Sequence, residues 1–588
     1  MIDPLSTPPA LVVLAAVLVA LFAPRAVGYA GSGAALAVVV GWTRLVPEGI
    51  GLTLEFLGFT LVVVSVDEVS RLVGFVLAGF GIFAIGYAAV LEIDRAHLAV
   101  ALAYVAASLW AVFAGDWLTL VIGWELMAVA STVLLWLAGD DAVRAGYRYA
   151  LIHAIGGVLL LVGIALEAAA VGHSPSALHY DGTGISPGLP ALVVGIGIAV
   201  NAAAIGVHVW LPRAYASPHV ATSVILSAYT TKVAVYAAYR AFPDGNLALA
   251  YVGGAMTVYG AAYALAQKDM RALLSYHIQA QVGYMLAGIG IGSALGIAGG
   301  FAHLFNNVLY KGLLFMIAGI IIVRTGRERL DGFGALRASA PIVVLTFGVA
   351  AASISGLPGT NGFVSKGMVL DAALEIDARP LRALLLVGTV GTVMSFAKFG
   401  YYAFLDGSTE PIRDADRGHA FITLAIAAAC LGLGLAYGVL FGLLPLTDEW
   451  ATDPYSSRHL LEKGVLVATG LVCFWLAKPL FARLDGGTDV DRVRDPLVFY
   501  GVRTLVSGLE SSSRALATRA AALSWAAVHA VRDPAPRIRS ILPATMRDRY
   551  DRRRRKIPGE TGLRLGIGTS VLVAVGVTVF ALGVAFLL

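Results

Sequence analysis

Sixteen runs of apolar residues follow one another along the chain, and their number and length constrain its fold more than any other feature. A membrane-spanning helix needs about 20 mostly apolar residues. Of the 588 residues, 58% are hydrophobic and 13% are charged, whereas soluble domains carry about 25% charged residues. We therefore predict an all-α polytopic membrane protein. The expected spans are 9–23, 26–45, 67–90, 96–114, 116–138, 146–171, 188–211, 219–241, 247–266, 272–291, 293–322, 338–371, 380–405, 418–444, 461–480 and 565–588.

Arginine and lysine are distributed unevenly between the expected loops. With the N-terminus outside, most basic loop residues fall on the cytoplasmic side, which is the usual arrangement in membrane proteins. We therefore expect an N-terminus outside the cell membrane and residues 481–564 in the cytoplasm. The first run has no positively charged leader, so we interpret it as a retained span. The basic residues left outside are Arg44, Arg240, Arg379, Arg382, Arg458 and Lys463.

Residues 481–564 separate the last two expected spans. Apolar residues recur about every 3.5 positions between 496 and 534, which predicts an amphipathic helix that lies either on lipid headgroups or across neighbouring subunits. The arginine-rich stretch 547–556 precedes the final anchor and is typical of a cytoplasmic membrane border. No platform of interleaved aromatic and basic residues accompanies it, so we expect no nucleic-acid binding. Cys430 and Cys473 indicate neither a disulfide framework nor a metal cluster.

Two expected spans contain proline and glycine at places where a helix should be continuous. These are WLPRAYASPH at 210–219 and SISGLPGTNGFVSK at 353–366. Broken backbone at membrane depth is tolerated only when it is buried in protein or lines a polar cavity. Paired breaks are typical of transporters built from inverted repeats. The alternative for the first stretch is an ordinary loop between two helices.

Ionisable residues inside the apolar runs are the strongest functional signal. A lysine at the centre of a span costs roughly 2.5 to 3.5 kcal/mol on insertion scales, so such residues indicate a proton or ion relay rather than chance. His303, Asn307 and Lys311 share one helix face through their i, i+4 and i+8 spacing. Purely structural pairing is the alternative. The relay candidates are Glu125, Lys232, His303, Lys311 and Lys366, with His153, His208 and His277 as secondary candidates.

Several stretches resemble one known family. They are GWELMAVAS, HVWLPRAYASPHVATSVILSAYTTKVAVYAAYR, QKDMRALLSYHIQAQVGYM, HLFNNVLYKGLLFMIAG and GLPGTNGFVSKGMVL, which cover the core from about 70 to 405. They are similar to the antiporter-like family that includes Mrp-type sodium/proton antiporter subunits, above all those of the D type, and the proton-pumping membrane subunits of respiratory complex I. The resemblance implies a fourteen-helix core with inverted repeats and assigns relay roles to Glu125, Lys232, Lys311 and Lys366.

The resemblance also implies a division of the chain. We expect N-terminal spans over 1–95, a first antiporter half over 96–241, a second half over 247–405 and C-terminal core helices over 418–480. The cytoplasmic segment 481–564 and the anchor 565–588 follow.

Two positions depart from the family pattern. Asn201 stands where the family has a lysine nine residues before the tryptophan of WLP, and Asn307 stands where a second histidine is frequent. Asparagine carries no charge, so Glu125 must pair with Lys232 or another group, or be protonated. The fold is therefore better supported than an active first half.

These observations favour a membrane subunit of a multi-subunit cation/proton antiporter that exchanges sodium ions for protons. One alternative is a proton-translocating subunit of a complex I-like NADH dehydrogenase or hydrogenase whose redox chemistry resides in other chains. A transport-inactive structural subunit is the other, suggested by Asn201 and Asn307. We expect no cofactor, since no Walker, HExxH or CxxC motif is present. The expected partners are other membrane subunits, the lipid bilayer, Na⁺ and H⁺.

Overall fold

A computed structural model describes residues 7–56, 58–172, 176–330, 336–407, 412–484 and 539–554, with isolated positions between 504 and 525. Two compact units divide the chain, Met1–Asp491 and Arg492–Leu588. The expected amphipathic helix over 496–534 lies outside the described residues apart from those isolated positions. The expected anchor over 565–588 lies outside them entirely.

The described chain is helical along most of its length, and the helical fold class is confirmed. Two β-strands interrupt the helices near the N-terminus. The elements are α1 (Pro9–Phe22), α2 (Arg25–Leu45), β1 (Gly49–Phe56), β2 (Phe59–Val66), α3 (Glu68–Val90), α4 (Arg95–Phe113), α5 (Trp117–Trp136), α6 (Asp140–Val171), α7 (Leu189–Asn201), α8 (Trp210–Ala216), α9 (Val220–Leu226), α10 (Thr230–Ala241), α11 (Leu247–Ala266), α12 (Met270–Ile291), α13 (Ala294–Thr325), α14 (Pro341–Ser355), α15 (Asn361–Glu375), α16 (Arg379–Gly400), α17 (Arg417–Leu435), α18 (Tyr437–Phe441), α19 (Ser457–Arg483) and α20 (Ala544–Arg554).

Short polar side chains fix where many spans begin. The Asp67 carboxylate accepts a hydrogen bond from the Ser70 N–H, and the Ser70 hydroxyl oxygen accepts one from the Asp67 N–H, which forms a capping box at the start of α3. Asp116 and Asp269 cap α5 and α12 more simply, since each accepts a backbone N–H of the first turn. Such caps satisfy backbone donors that a helix start leaves unpaired. The ends of these spans are therefore encoded locally.

A β-hairpin lies between α2 and α3, in a stretch where the sequence analysis expected no element. Strand β1 pairs with β2 in antiparallel fashion, and Gly58 turns the chain at φ +83°. Ile50, Leu52 and Leu54 alternate with small or polar residues along β1, a period of two that predicts a strand. A search for runs of about 20 apolar residues passes over so short a pattern.

Eleven helical segments in the described part of the chain are long and apolar enough to cross a membrane. Three shorter apolar helices, α1, α7 and α14, accompany them. Helix α12 is not among these apolar segments, because His277, Gln279 and Gln281 interrupt it. It is nevertheless buried along nearly its whole length. A polar helix buried inside a bundle of apolar ones is the natural place for a hydrophilic pathway.

Small residues bring α11 and α12 into backbone contact. A Cβ added to Gly253 of α11 would lie 2.5 Å from the carbonyl oxygen of Gly283 on α12, and one added to Gly283 would lie 2.4 Å from the Gly253 carbonyl oxygen. Close approach through glycine is typical of membrane helix pairs. It holds the polar helix α12 rigidly against its neighbour.

The two expected breaks are present, and the first extends beyond the expected stretch. The chain unwinds between Ala202 and Val209, residues 210–216 form α8, and residues 217–219 separate α8 from α9. Pro212 is tolerated in the first turn of α8 because the N–H it lacks has no helical partner there anyway. The second break lies between α14 and α15, where Gly356 and Gly359 adopt φ +74° and +87°. A third, unexpected break separates α9 from α10.

Candidate functional site

Lys232 lies in the first turn of α10, directly after the unexpected break. Its side chain is fully buried, and its ammonium donates to the Ser227 carbonyl at 2.7 Å and to the Thr231 hydroxyl at 3.3 Å. Ser227 ends α9, where unpaired carbonyls make a cation favourable. Lys232 therefore stabilises the break by capping the helix before it.

A cluster of hydroxyl groups holds the start of α10 against three other helices. The Thr230 hydroxyl lies 2.6 Å from the Tyr104 hydroxyl of α4 and 3.3 Å from the Tyr149 hydroxyl of α6. Ser131 of α5 donates to Tyr149 at 2.9 Å. His153 stacks on the Tyr149 ring at 3.8 Å between centroids and serves packing here. The break beside Lys232 is thus fixed by polar contacts.

Glu125 lies on α5 and is half-buried. Its Oε1 has no hydrogen-bond partner in the described chain, and a Cβ at Gly157 of α6 would lie only 1.6 Å from it. The neighbouring side chains of Ile122 and Leu126 are 41% and 51% exposed. Glu125 is therefore near the outer surface of the helix bundle, in a notch that glycine provides. The expected pair with Lys232 is not formed, because Lys232 donates to Ser227 and Thr231 instead.

Asn201 is the last residue of α7 and is fully buried at the first break. Neither its side-chain nitrogen nor its oxygen has a hydrogen-bond partner in the described part of the chain. Nearby, Gln279 of α12 donates to the Ala203 carbonyl at 3.0 Å and Trp210 donates to the Val200 carbonyl at 3.0 Å. Side chains thus satisfy carbonyls that the broken helix leaves open.

His303 is the centre of a polar network in the other half of the molecule. Its Nδ1 lies 3.0 Å from the Ser365 hydroxyl of α15, and its Nε2 lies 3.1 Å from Gln281 Oε1 of α12. The Tyr310 hydroxyl approaches the same Nε2 at 3.3 Å and accepts from Asn307 at 3.3 Å. His303, Asn307 and Tyr310 share α13, and their contacts connect three helices. Lys311, the third member of the predicted stripe, makes no hydrogen bond to this network.

Lys311, one turn beyond Asn307, is fully buried, and its ammonium has no hydrogen-bond partner among the described residues. It lies 5.8 Å from the ring centre of Phe396 and 6.0 Å from that of Phe315. The ring of His277 is 4.8 Å from the Phe396 ring. Phe396 therefore lies between the two titratable groups. Lys311 is also within electrostatic range of Lys232.

Lys366 lies on α15 beside the second break. Its ammonium is fully buried, lacks a hydrogen-bond partner in the described chain and lies 4.9 Å from the ring centre of Tyr284. A Cβ at Gly356 would approach its stem to 3.3 Å. Rings with a negative face stabilise an ammonium only modestly compared with a carboxylate. Lys366 is therefore a buried amine without an anionic partner among the described residues.

The site residues fall into two groups. His277, His303, Lys311 and Lys366 lie together around α12, α13 and α15, whereas Lys232, Asn201 and Glu125 belong to the first half. His208 lies against the rings of Tyr259 and Tyr276, at 5.0 and 6.1 Å between centroids, outside both groups.

Sequence reasoning missed Gln281 and Tyr284. Their spacing from His277, i+4 and i+7, places all three on one face of α12 and was the available signal. Within the described residues no group of three His, Cys, Asp or Glu side chains is arranged to hold a metal ion.

Comparisons with known proteins agree with this architecture. The family described as NADH:quinone oxidoreductase/Mrp antiporter, transmembrane region, matches residues 114–395. The N-type NADH-quinone oxidoreductase subunit of Desulforudis audaxviator is 30% identical over 356 residues, which is 57% of this chain and 71% of that protein. The D-type Na⁺/H⁺ antiporter subunit of Alkalihalophilus pseudofirmus is 30% identical over 305 residues, 49% of this chain and 62% of that protein.

A solved structure shows the same fold. A chain of the Mrp complex from Dietzia sp. DQ12-45-1b superposes with a TM-score of 0.68 at 23% identity. The match covers 80% of the present chain and 98% of that one. The resemblance expected from the motifs is thereby confirmed.

Proposed function

The chain belongs to the family of NADH:quinone oxidoreductase/Mrp antiporter transmembrane subunits, and from that premise we propose that it is a membrane subunit of a multi-subunit sodium/proton antiporter. One observation carries the proposal: Lys311 and Lys366 are fully buried without a carboxylate partner in the described chain. A buried ammonium without a counter-ion is costly, so such lysines exchange protons readily. A relay needs groups of this kind.

The proton path runs through the polar network of α12, α13 and α15. His277 is within electrostatic range of both Lys311 and Lys366, and His303 contacts Ser365 on the helix that carries Lys366. Buried polar atoms that lack protein partners, such as both nitrogens of His277, are suited to a hydrated pathway. Protons pass between these groups and water, with Lys311 and Lys366 as the charged steps.

In the first half, Lys232 has a different role from that of Lys311 and Lys366. Lys232 caps the Ser227 carbonyl, and its charge acts on Lys311 across the bundle. A proton gained or lost at Lys232 changes the repulsion that Lys311 experiences. Glu125, which faces the outer surface, is placed to respond to a neighbouring subunit. The partners of this chain are accordingly other membrane subunits of the assembly.

The topology of the proposal follows the distribution of basic residues. The N-terminus lies outside the cell membrane, residues 481–564 lie in the cytoplasm, and 96–241 and 247–405 are the two antiporter halves. All six basic residues assigned to the outside lie within helices: Arg44 on α2, Arg240 on α10, Arg379 and Arg382 on α16, and Arg458 and Lys463 on α19. Accessibility labelling of single cysteines on either side of α3 tests this orientation.

The relay role of Lys366 is tested by the Lys366→Met variant in the complete complex reconstituted into vesicles. Sodium-driven proton movement should fall by about 100-fold or more, since proton-transfer groups contribute about 10²–10⁴-fold. Lys478→Met is the matched control, because Lys478 is half-buried near the end of α19 and donates to the Tyr401 hydroxyl rather than to a relay group. Full exchange by the Lys366 variant would contradict the role.

A second reading, a proton-translocating subunit of a complex I-like assembly, is favoured by one finding. The relative of which this chain covers 71% at 30% identity is a subunit of an NADH-quinone oxidoreductase. The buried residues would serve either assembly equally. Purification with native partners distinguishes the two, because redox cofactors and NADH oxidation in the purified complex would exclude the antiporter.

A further inference from the structure

A further buried lysine lies outside the region that the family match covers. Lys463 is on α19, and its residue is 2% exposed. The helix itself is largely uncovered, with Leu461 71% and Val465 64% exposed. An outward-facing helix of this kind would be expected to direct its lysine to the membrane surface. Lys463 instead points into the protein, and the family match ends at residue 395.

The Lys463 ammonium has no hydrogen-bond partner in the described chain. Glu462 and Asp371, the two carboxylates that act on Lys463 electrostatically, already pair with other residues. Glu462 forms an ion pair with Arg382 of α16, and Asp371 of α15 pairs with His459 at 2.8 Å. Lys463 is within electrostatic range of both carboxylates and of Lys366. Like Lys366, Lys463 is therefore a buried amine without a hydrogen-bond partner among the described residues.

The depths of Lys366 and Lys463 match. The C-terminal end of α15 lies beside the start of α19, a candidate membrane span, and the Asp371–His459 pair joins the two helices there. From this pair, Lys366 lies five residues deeper along α15 and Lys463 four residues deeper along α19. At 1.5 Å per residue, these are about 7.5 and 6 Å. The two amines thus occupy nearly the same level.

The Asp371–His459 pair has the geometry of a proton-holding group. His459 Nδ1 lies 2.9 Å from the Asp453 carbonyl oxygen and Nε2 lies 2.9 Å from Asp371 Oδ1. Both ring nitrogens therefore face oxygen acceptors. A neutral imidazole has only one N–H, so either the ring carries a second proton or Asp371 does. The side chains are 12% and 20% exposed, so the pair reaches water.

We propose that Lys463 is a relay residue that links Lys366 to the membrane face through the Asp371–His459 pair. This rests on the proposed antiporter function. In the step, an N–H bond of the Lys366 ammonium breaks and an N–H bond forms on the neutral Lys463 amine, directly or through water. The proton next passes to the pair, which releases its own proton to solvent. Exposure rises along the series from Lys366 to Lys463 to His459, as an outlet requires.

Three substitutions at Lys463 separate a relay from a structural charge. In the complete complex in vesicles, Lys463→Met should lower sodium-driven proton movement at least tenfold. Lys463→Arg should lose as much, because a guanidinium keeps its charge and does not release protons. Lys463→His should recover part of the rate with a pH profile shifted to the acid side, because imidazole titrates at lower pH than an amine. Lys478→Met on the same helix should exchange at the wild-type rate.

Each other outcome contradicts the proposal. Wild-type exchange by Lys463→Met, or rescue by Lys463→Arg, would show that the position needs no proton transfer. If the methionine variant does not assemble, the arginine variant decides, since it retains the charge and the long stem. Loss of exchange by Lys366→Met with unchanged exchange by Lys463→Met would overturn only the Lys463 role. Absence of exchange in the wild type would overturn the proposed antiporter function and this role with it.

Discussion

Lys232 and Lys366 each follow a break in a membrane helix, yet their surroundings differ. Lys232 donates to the carbonyl that ends α9, so it has a fixed structural task. The Lys366 ammonium has no hydrogen-bond partner among the described residues and lies over the face of Tyr284, and the network around His303 begins one residue before it at Ser365. The comparison teaches that a buried lysine at a break is not by itself a mobile proton site. The acceptor that the ammonium contacts determines whether the lysine serves as a helix cap or as a proton relay.

The largest expected difference between the halves is seen by comparing Lys311→Met with Lys232→Met. Lys311→Met should lower sodium-driven proton movement about 100-fold or more, with little change in thermal stability. Lys232→Met leaves the Ser227 carbonyl unsatisfied, which costs about 1–3 kcal/mol. It should therefore lower the stability of the purified complex, with the smaller loss of exchange. Vesicle flux and thermal melting of the same preparations measure both quantities.

The reverse pattern would remove the distinction between the halves. If Lys232→Met abolishes exchange at unchanged stability, Lys232 is a relay residue that happens to contact a carbonyl. Lys478→Met serves as the control for loss of a lysine as such.

The sequence predicted the buried lysines because a charge inside an apolar run is visible in one dimension. The first residues of α3 and α11 were also predictable, since Asp67 and Asn246 precede them as caps. The contacts of these lysines were not predictable. Whether Lys232 reaches Glu125 or the Ser227 carbonyl depends on a break between α9 and α10 that contains no proline or glycine to signal it.

The burial of Lys463 could not be predicted from the sequence either. It stands near the start of an expected span, where a basic residue normally marks a loop at the membrane face. Only the packing of α19 on α16, which pairs Glu462 with Arg382, turns it inward. The position of Gly157 against Glu125 is likewise a tertiary contact between α5 and α6 that no local pattern encodes.

A smaller effect is expected when the Glu125 carboxylate is moved rather than removed. In Gly157→Ala, the added Cβ would lie 1.6 Å from Oε1 and 2.7 Å from Cδ, so the end of this flexible side chain must shift. If transport through the first half depends on the present position of Glu125, sodium-driven proton movement should fall roughly threefold to tenfold, since small misplacements of reacting groups are costly. Gly348→Ala is the control, because no atom lies within 4 Å of its added Cβ. An unchanged rate would indicate that the position of Glu125 does not matter and would widen the contrast between the halves.

The smallest expected effect concerns the far end of α10, where Arg240 pairs with Asp67 at 2.6 Å. Burial alone would raise the pKa of Asp67, but Arg240 and the Ser70 N–H outweigh it and hold the pKa below its ordinary value of 3.8. A lowered carboxyl pKa stabilises the fold above the ordinary value, and the contribution is lost as pH falls through the folded-state pKa.

Asp67→Asn should therefore lower the thermal stability of the complex at pH 7, and the difference from wild type should shrink below about pH 4. The Asp67 side chain is 42% exposed, so solvent screening limits the loss to about 1 kcal/mol. Asp377→Asn is the matched control, because its pair with Arg379 is exposed on both sides and contributes little. The rate of sodium-driven proton movement should change little, because the pair holds the end of α10 and lies two turns from Lys232. A large loss of exchange at unchanged stability would instead place Asp67 and Arg240 within the proton path of the first half, and Lys232 would then have to be regarded as a relay residue like Lys366.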